Sequence, residues 1–562
     1  MRRASCKALA LVTLVALVAA PAAFAAAAPG TVRLHLLWTN DVHGHVAPEG
    51  ATFMNPNFPP PLGGGASAAA YLEKLRAQIA ADPSQSIVLV DAGDTWSGAP
   101  VGSLTQGKVM EEYFRSLGYD GVVPGNHEFD KGEEIPIRMA EEMGKKFLCA
   151  NIFKEGTDTL VDWVEPYRVV ERAGLRIGII GATTPGTKYM AFEKNIAGLD
   201  FRPILPEIER WRDHLYAAEK VDVVIAVIHE GLPYDAQKEW QALQVRVADG
   251  EDIRANVRGL MDLAHVLERV PVIVGGHTHR GYREPWTDPV TQTLVLESFG
   301  NGSSLGHLIL KVDAASKTIV GWDTPRRDGV LVTLFEDEWW PDEAAAEDLR
   351  PYIETAERGL DVKVGSSRIE LTRRGGSNSP MGNLVTQAML DHTGADFAFV
   401  NLGGLRADLP AGDITLGDLL KVMPFDNSLA VVQMPGRMIR DIFERKSRRG
   451  SSGIAQSGAQ VMVDPDASDG ERVRELLIAG QPVDPDKIYR VATTDYLLQG
   501  NSGLGMLAQI PPDQVDYMMV ADRTAVQRYI ETHSPVSPRV DDRWRERKGA
   551  PQAAYLREWP VP

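Results

Sequence analysis

Short apolar runs recur through the first half of the chain, and segments with the spacing of amphipathic helices separate them. Runs of this length are typical of buried strands, and they lie at residues 33–39, 86–90, 175–180, 221–228 and 270–274. Helices are predicted at 66–80, 108–117 and 208–218. Because strands alternate with helices, we predict an α/β layered domain over residues 31–335.

The rest of the chain divides into a connector, a second domain and a tail. Residues 336–361 combine an acidic stretch with a polar helical pattern, which predicts a linker helix. A second α/β domain is predicted over 362–540, with a helix at 383–392 and a strand at 397–400. Residues 541–562 are charged and contain several prolines, so we expect a surface tail.

Length and charge limit the classes of protein to which the chain can belong. With 562 residues it is too long for a single core, which agrees with two domains. A formal net charge of −17 argues against a protein that binds nucleic acid polymers, because such proteins present a basic face. Bound divalent cations can still create a local positive site on an acidic protein.

The N-terminus has the pattern of a secretory signal peptide, predicted over residues 1–25. Basic residues precede an apolar stretch from Ala8 to Ala20, and Ala23-Phe24-Ala25 resembles a cleavage site. The apolar stretch is shorter than the roughly 20 residues that a membrane span needs, and an uncleaved anchor is the alternative. We therefore expect an exported protein without a membrane span, either periplasmic or extracellular.

Side chains of the types that bind metals follow the predicted strands at five places. The stretches are Asn40-Asp41-Val42-His43, Asp91-Ala92-Gly93-Asp94, Gly125-Asn126-His127-Glu128-Phe129-Asp130, Val227-Ile228-His229-Glu230 and Gly275-Gly276-His277-Thr278-His279. A lone histidine after a strand is usually structural, but five of the twelve histidines fall in these loops. Polar residues at the carboxyl ends of strands fit the general position of sites in α/β sheets. The pattern predicts a site for two metal ions.

Asp, His and Asn side chains suit a borderline divalent metal such as Zn²⁺, Mn²⁺ or Fe²⁺, whereas an all-carboxylate set would favour Mg²⁺ or Ca²⁺. Two ions about 3.5–4 Å apart can share a carboxylate, acidify a water and hold a phosphate ester for in-line attack. A nearby histidine can donate to the leaving oxygen or stabilise developing charge. We interpret Glu128 and Glu230 as residues that support the ligands or face solvent.

The five stretches resemble the signature of calcineurin-like metallophosphoesterases. Together with Asn401-Leu402-Gly403-Gly404-Leu405-Arg406, they are similar to the 5′-nucleotidase family of exported bacterial enzymes. Other pieces similar to the family are Glu165-Pro166-Tyr167, Gly412-Asp413-Ile414-Thr415 and Met423-Pro424-Phe425-Asp426-Asn427. The resemblance extends from about Leu34 to Asp522. It implies a four-layer α/β/β/α metallophosphoesterase domain followed by an α/β substrate-binding domain that closes over the metals.

The resemblance also implies a role for each matching residue. One metal would be held by Asp41, His43 and His279, the other by Asn126, His229 and His277, with Asp94 as the bridge. In many members the position of His279 is Gln or Asn. His127 would stabilise the transition state, and Asp130 would orient it. The residues implied in substrate binding are Arg406, which would hold the phosphate, and Asn401, Gly404 and Asn427.

The chain departs from the family pattern where the base would bind. Family nucleotidases stack the base between two aromatic rings of the C-terminal domain. The stretches that resemble those loops carry Ile454 and Leu504 instead of aromatic residues. Stacking contributes about 1–3 kcal/mol per base in proteins that bind single strands, so we expect weaker nucleoside recognition. Ile454 and Leu504 could still hold a base by apolar contact, or the pocket suits another leaving group.

The favoured interpretation is therefore a phosphohydrolase with two metal ions, acting on a nucleotide or related small phosphoester. One alternative is a relative with an altered substrate, such as a thiosulfohydrolase, which the intact Gly125-Asn126-His127-Glu128 stretch disfavours. Another is a non-catalytic binding protein on the same fold, which the complete set of ligands disfavours. We expect a monomer or a weak homodimer.

Overall fold

The structure, a computed structural model, describes residues 30–557 apart from 52–53, 56–57, 234, 426 and 451–452. The predicted signal peptide therefore lies outside the described residues. Among the helices of the described part, none is long and apolar enough to cross a membrane.

The first of two six-stranded sheets is built around the strand that leads to Asp41 and His43. Its strands in spatial order are Ile319–Asp323, Ser304–Asp313, Thr31–Thr39, Gln85–Asp91 and Gly121–Val122, with Leu331–Thr333 paired to Ser304–Asp313. Thr31–Thr39, Gln85–Asp91 and Gly121–Val122 are parallel. Three of the five metal-type stretches therefore follow strands that end at the same edge.

The second sheet supplies the other two stretches. Its strands in spatial order are Trp286–Thr287, Leu294–Leu296, Val272–Val274, Val223–His229, Leu175–Thr183 and Tyr167–Arg172. The four central strands are parallel to one another. His229 and the loop that begins at Gly275 consequently lie at the same end of this sheet.

The two sheets pack face to face, and helices cover their outer faces. Leu36 and Trp38 of the first sheet and Ile179 and Ile225 of the second share one buried cluster. The helices over the first sheet include Gly64–Ile79, Lys108–Leu117 and Glu343–Glu357, and those over the second are Ile204–His214 and Leu260–Val266. Further helices are Pro100–Leu104, Glu134–Met143 and Ala236–Ala248. The predicted four-layer α/β/β/α order is confirmed.

The predicted linker helix belongs to the packing of the first domain. It runs over Glu343–Glu357, and the Asp342 carboxylate accepts the main-chain N–H of Ala345 at 2.9 Å, which caps its first turn. Leu349 and Ala356 are buried against the helices over the first sheet.

The C-terminal domain is a five-stranded sheet with helices on both faces. Its strands in spatial order are Ile454–Ser457, Phe397–Asn401, Ile488–Thr494, Ser428–Pro435 and Val515–Ala521. Helices Pro380–Thr393 and Asp522–His533 pack on one face and Gly436–Lys446 on the other. A second sheet contains Gln481–Pro482, Val473–Ile478, Ala459–Val463 and Trp544–Glu546, and Lys363–Ser367 pairs with Gly412–Thr415. Shorter helices are Leu416–Val422, Asp495–Leu498 and Ala554–Arg557.

The segment from residue 541, predicted as a surface tail, is exposed at many of its described positions but is joined to the C-terminal domain by a strand and a few buried side chains. Trp544–Glu546 forms a strand parallel to Ala459–Val463. The Trp544 ring is buried 5.5 Å from the ring of Phe443, centroid to centroid, and Leu556 is buried as well. A strand with a single buried side chain shows no apolar run, so its composition resembles that of a surface segment.

Two buried histidines join the core of the first sheet to its covering helix. His35 Nδ1 lies 2.9 Å from His307 Nε2, and His307 Nδ1 lies 2.6 Å from the Tyr71 hydroxyl. His35 Nε2 lies 3.0 Å from Gln85 Oε1. Burial lowers the pKa of both histidines, and for His307 well below its usual range.

This pair is expected to make the protein less stable in mild acid. In the unfolded chain a histidine binds a proton near pH 6.5, whereas the buried pair stays neutral. The contribution of the pair to the free energy of unfolding is therefore complete above that pH and is lost as the pH falls below it. Each such histidine lowers the free energy of unfolding by up to about 1.4 kcal/mol for each pH unit below that value. The fall in Tm from pH 7.5 to 5.5 should be smaller in His307→Gln than in the original protein, and unchanged in the surface variant His533→Gln. An equal fall in all three proteins would contradict this.

Candidate active site at the domain interface

All five metal-type stretches meet at one edge of the two sheets, beneath the C-terminal domain. A cleft of about 630 Å³ lies between the domains at this point. Asp94, Asn126, His127, His277 and His279 line its floor, and Arg406 reaches it from the other domain. The predicted strand ends therefore converge in space.

One cluster joins Asp41, His43 and His279, whose ligand atoms lie within 4.8 Å of one another. The Nε2 atoms of His43 and His279 are 3.1 Å apart, and Asp41 Oδ1 is 3.4 Å from His279 Nε2. His43 Nδ1 donates to the Ser97 carbonyl at 2.5 Å, which leaves Nε2 directed at the cluster. Asn40 Nδ2 donates to Asp41 Oδ2 at 2.7 Å and holds that carboxylate.

A second cluster contains Asp94, His229 and His277, also within 4.8 Å. Asn126 Oδ1 lies 3.2 Å from His229 Nε2, and His229 Nδ1 donates to the Ala92 carbonyl at 2.7 Å. Asp94 Oδ2 is 3.2 Å from His229 Nε2 and 3.9 Å from His43 Nε2. The Asp94 carboxylate thus faces both clusters.

The donor atoms fit two divalent ions. His277 Nδ1 is buried and has no hydrogen-bond partner among the described residues, which is expected of an atom kept for a metal. Burial lowers the pKa of His43 and His279 well below the usual range, so both stay in the neutral form that binds metals. Burial alone would raise the pKa of Asp94, but His229 and His127 beside it lower it well below the usual range.

Five of the seven predicted ligands have left-handed backbone conformations. The φ angles are 51° at Asp41, 50° at His43, 55° at Asp94, 73° at His277 and 56° at His279. Such conformations cost on the order of 1–3 kcal/mol each and concentrate at functional sites. The backbone is therefore strained at these positions to aim their side chains inward.

Glu128 supports the loops around the second cluster. It is fully buried, and its carboxylate accepts the main-chain N–H groups of Asp94 at 3.1 Å and Thr95 at 2.8 Å, and that of Gly125. Gly125 leaves room for this arrangement, because a Cβ there would lie 2.2 Å from Asp94 Oδ1. The supporting role that the sequence suggested for Glu128 agrees with these contacts.

His127 and Asp130 form a hydrogen-bonded pair beside the clusters. His127 Nδ1 lies 2.9 Å from Asp130 Oδ2, which also accepts the Ser97 hydroxyl. Burial lowers the pKa of His127, but the carboxylates of Asp130 and Asp94 outweigh it and raise that pKa to about 9. The ring stacks on Phe425 of the C-terminal domain, with centroids 5.2 Å apart at 12°.

Arg406 crosses from the C-terminal domain to the clusters. The guanidinium Nη2 lies 3.5 Å from His43 Nε2, and the main-chain N–H of Arg406 donates to the Val422 carbonyl at 2.8 Å. Asn401, Gly404 and Asn427 line the same cleft. Arg406 and these three residues, all predicted to bind the substrate, thus line one cleft.

The two aliphatic candidates, Ile454 and Leu504, do not line the cleft. Both are fully buried in the hydrophobic core of the C-terminal domain. Ile454 pairs with Asn401 in the five-stranded sheet, and its side chain faces the core. Matching by loop position could not show this, because one residue of register along a strand reverses the side-chain direction.

Aromatic residues from other segments line the cleft instead. Phe425 covers His127, whereas Phe192 of the first domain and Tyr496 of the second face each other across the rim, 6.1 Å apart at 81°. Tyr496 precedes the Gly500 stretch and lies in one short helix, Asp495–Leu498. The sequence offers no signal for Phe192, since its segment carries no motif.

Known proteins match both halves of the chain. A family model described as calcineurin-like phosphoesterase matches residues 34–281, and one described as the C-terminal domain of 5′-nucleotidase matches residues 358–509. Protein UshA of Yersinia enterocolitica is 28% identical over 529 residues, covering 90% of this chain and 92% of that protein. A 5′-nucleotidase of Vibrio cholerae is 28% identical over 546 residues, covering 90% and 91%.

Solved structures show the same fold. The 5′-nucleotidase precursor of Thermus thermophilus superposes with a TM-score of 0.78 at 24% identity, covering 92% of this chain and 100% of that one. The sulfate thiohydrolase SoxB of the same organism gives 0.72 at 20% identity, covering 92% and 97%. Because one family model matches the first domain and the other matches the second, the chain belongs to the 5′-nucleotidase family of calcineurin-like phosphoesterases, which are hydrolases that act on phosphoesters.

Proposed function

We propose that this protein is an exported phosphohydrolase that uses two divalent ions to hydrolyse nucleotides or related small phosphoesters. The observation that carries the proposal is the Asp94 carboxylate, which belongs to one three-residue cluster of metal-type ligands and lies 3.9 Å from His43 Nε2 of the other. His127 and Arg406 lie beside those clusters, where a phosphoryl group would bind. Export rests on the predicted signal peptide at residues 1–25.

Each residue of the site then has a role. Asp41, His43 and His279 would hold one ion, Asn126, His229 and His277 would hold the other, and Asp94 would serve both. When bound, the ions supply a hydroxide nucleophile near neutral pH and neutralise phosphoryl charge. His127, protonated and held by Asp130, donates a hydrogen bond to a phosphoryl or leaving-group oxygen. Arg406 binds the phosphoryl oxygens from the opposite domain.

Two metals per chain are expected after reconstitution with Mn²⁺ or Zn²⁺. The seven ligands provide two complete sets with one carboxylate in common. Elemental analysis of the purified protein should give a ratio of metal to protein near two, with a chelator-treated sample as the metal-free reference. A ratio that never exceeds one would show that the clusters do not act as two sites.

The substrate class can be decided by a panel assayed with the metal-loaded protein. AMP, UMP and CMP test nucleotides, 4-nitrophenyl phosphate tests simple esters, and sulfate release from a thiosulfonate tests the thiosulfohydrolase alternative. Phosphate release with kcat/KM at least about tenfold higher for a nucleotide than for the simple ester supports the proposal. Sulfate release without phosphatase activity would show that the protein is a thiosulfohydrolase instead. Binding without turnover of any compound would indicate a non-catalytic relative.

Tyr496 is expected to contribute to the binding of a planar leaving group. Its ring lines the cleft opposite Phe192, and stacking on one aromatic ring contributes about 1–3 kcal/mol. Tyr496→Ala should therefore lower kcat/KM for AMP by about 5- to 150-fold and change it much less for a small alkyl phosphate. Tyr517→Ala, on the surface of the same domain, is the control. Equal losses for both substrates would mean that Tyr496 does not contact the leaving group.

A further inference from the structure

One strand of the second sheet reaches the site without carrying a metal-type ligand. Leu294–Leu296 pairs in parallel with Val272–Val274, the strand that leads to His277 and His279. The residues after it, Glu297 to Asn301, contact the loops that carry the predicted ligands, and we name them the support loop.

Glu297 joins two ligand loops. Its fully buried carboxylate accepts the main-chain N–H of Leu232 at 2.7 Å through Oε2 and that of Arg280 at 2.9 Å through Oε1. The Thr278 hydroxyl lies 2.8 Å from Oε1. Leu232 follows the stretch that carries His229, and Thr278 and Arg280 flank His279. A single carboxylate therefore fixes the spacing between ligands of both metals.

The next residues of the support loop hold the loop that carries Asp41. The main-chain N–H and the hydroxyl of Ser298 lie 2.8 Å and 2.6 Å from Asn40 Oδ1, and the Ser298 carbonyl accepts Asn40 Nδ2 at 3.0 Å. The same Asn40 amide contacts Asp41 Oδ2. The main-chain N–H of Asn301 donates to the Asp41 carbonyl at 2.7 Å.

Gly300 completes the contact with His279. A Cβ at this position would lie 2.7 Å from His279 Nδ1 and 3.2 Å from the Asp41 Cβ, so the bare glycine lets the imidazole pack against the loop. The φ angle at Gly300 is not in the left-handed region, and alanine is therefore tolerated by the backbone itself. The atoms nearest to an added Cβ at residue 300 therefore belong to His279 and Asp41, two residues of the same cluster.

We propose that Glu297 is a positioning residue for metal binding, and that the support loop sets the geometry of both metal sites without touching metal or substrate. The inference rests on the proposed two-metal function. Three ligand loops converge on this segment, and the strained backbones of Asp41, His277 and His279 need such external contacts to persist. Partners of this kind typically change metal affinity or activity by about 10–100-fold.

The first test replaces the carboxylate by its amide. Glu297→Gln puts an N–H₂ group against the N–H of Leu232 or of Arg280, so one ligand loop loses its acceptor. Asp288→Asn is the matched control, because Asp288 is equally buried and accepts the N–H groups of Val290 and Thr291, away from the ligand loops. Both variants are titrated with Mn²⁺ or Zn²⁺ against a competing chelator, and Tm is measured without metal.

We expect about 10–100-fold weaker metal binding and a lower kcat at saturating metal in Glu297→Gln, with KM little changed. Asp288→Asn should lose a similar amount of metal-free Tm but keep its metal affinity. Equal metal affinity in Glu297→Gln and the unsubstituted protein would overturn the inference, as would an equal loss of affinity in Asp288→Asn. If the unsubstituted protein itself binds no metal, the proposed function fails first.

The second test does not involve the Glu297 carboxylate. Gly300→Ala should displace His279 and weaken the binding of one of the two ions. The metal titration should then show two phases, of which the one for the other ion is unchanged. Gly259→Ala is the control, because a Cβ there meets nothing within 4 Å. Two unchanged phases in folded Gly300→Ala would contradict the role of the support loop.

Discussion

Replacing His127 with alanine is expected to lower kcat by about 10²–10⁴-fold while both metals stay bound, which is the range for a positioned acid or charge-stabilising group. His127 belongs to neither metal cluster, and its Nδ1 is engaged by Asp130 at 2.9 Å. His127 lines the cleft, and the contact with Asp130 leaves its Nε2 available for a ligand. We therefore expect the ring to contribute to turnover rather than to metal binding.

The measurement combines steady-state kinetics with elemental analysis of the same sample. His45→Ala is the control, because His45 pairs with Glu49 at 2.8 Å and lies outside the cleft. Loss of metal together with activity in His127→Ala would show that His127 is a ligand instead.

The same residue sets the expected pH dependence. Asp130 and Asp94 raise the pKa of His127 to about 9, and the charge of bound cations lowers it. The protonated form is the active one in the proposed mechanism, so activity should fall as the pH rises through a value at or below about 9. That alkaline limb should be absent from the residual kcat of His127→Ala.

Replacing Arg406 with alanine is expected to lower kcat/KM by about 10²–10³-fold for every phosphoester, including the smallest. The C-terminal domain brings the guanidinium to within 3.5 Å of His43 Nε2, beside the position that we propose for the phosphoryl group. Its loss removes a charged donor whose effect does not depend on the leaving group. The ratio of kcat/KM between AMP and a simple ester should therefore stay nearly constant.

The neighbouring Arg373 provides a matched control. It contacts Asp408 at 2.9 Å and the Leu405 carbonyl at 3.3 Å and does not line the cleft. Arg373→Ala should change kcat/KM by less than Arg406→Ala for all substrates. If Arg406→Ala lost kcat/KM for nucleotides alone, Arg406 would contact the leaving group and not the phosphate.

Local signals in the sequence were sufficient for the layers of the first domain and for the identity of its polar loops. The strand predicted at 86–90 is observed as Gln85–Asp91, and the helix predicted at 108–117 as Lys108–Leu117. Apolar runs and helical spacing report on neighbouring residues, and both depend on burial of one face. The same locality explains the missed strand Trp544–Glu546, in which one buried ring supplies the whole signal.

Residues at strand ends also converge without detailed knowledge of the loops, because parallel strands end at a common edge. His229 follows a strand of the second sheet and joins the ligands of the first sheet only because the two sheets pack together. For the strands of the first sheet, the sequence determined that Asp41, Asp94 and Asn126 would be neighbours. It could not determine their directions, since left-handed conformations at Asp41 and Asp94 are imposed by contacts with distant parts of the chain.

Only the tertiary structure decided which residues line the cleft beyond the phosphate. Ile454 and Leu504 occupy loop positions that resemble base-binding loops, yet the packing of the five-stranded sheet buries both in the core. Phe192 and Tyr496 belong to different domains and meet only when the two are assembled. Contacts between segments so far apart along the chain depend on the relative placement of whole domains, and no local pattern of apolar and polar residues encodes that placement.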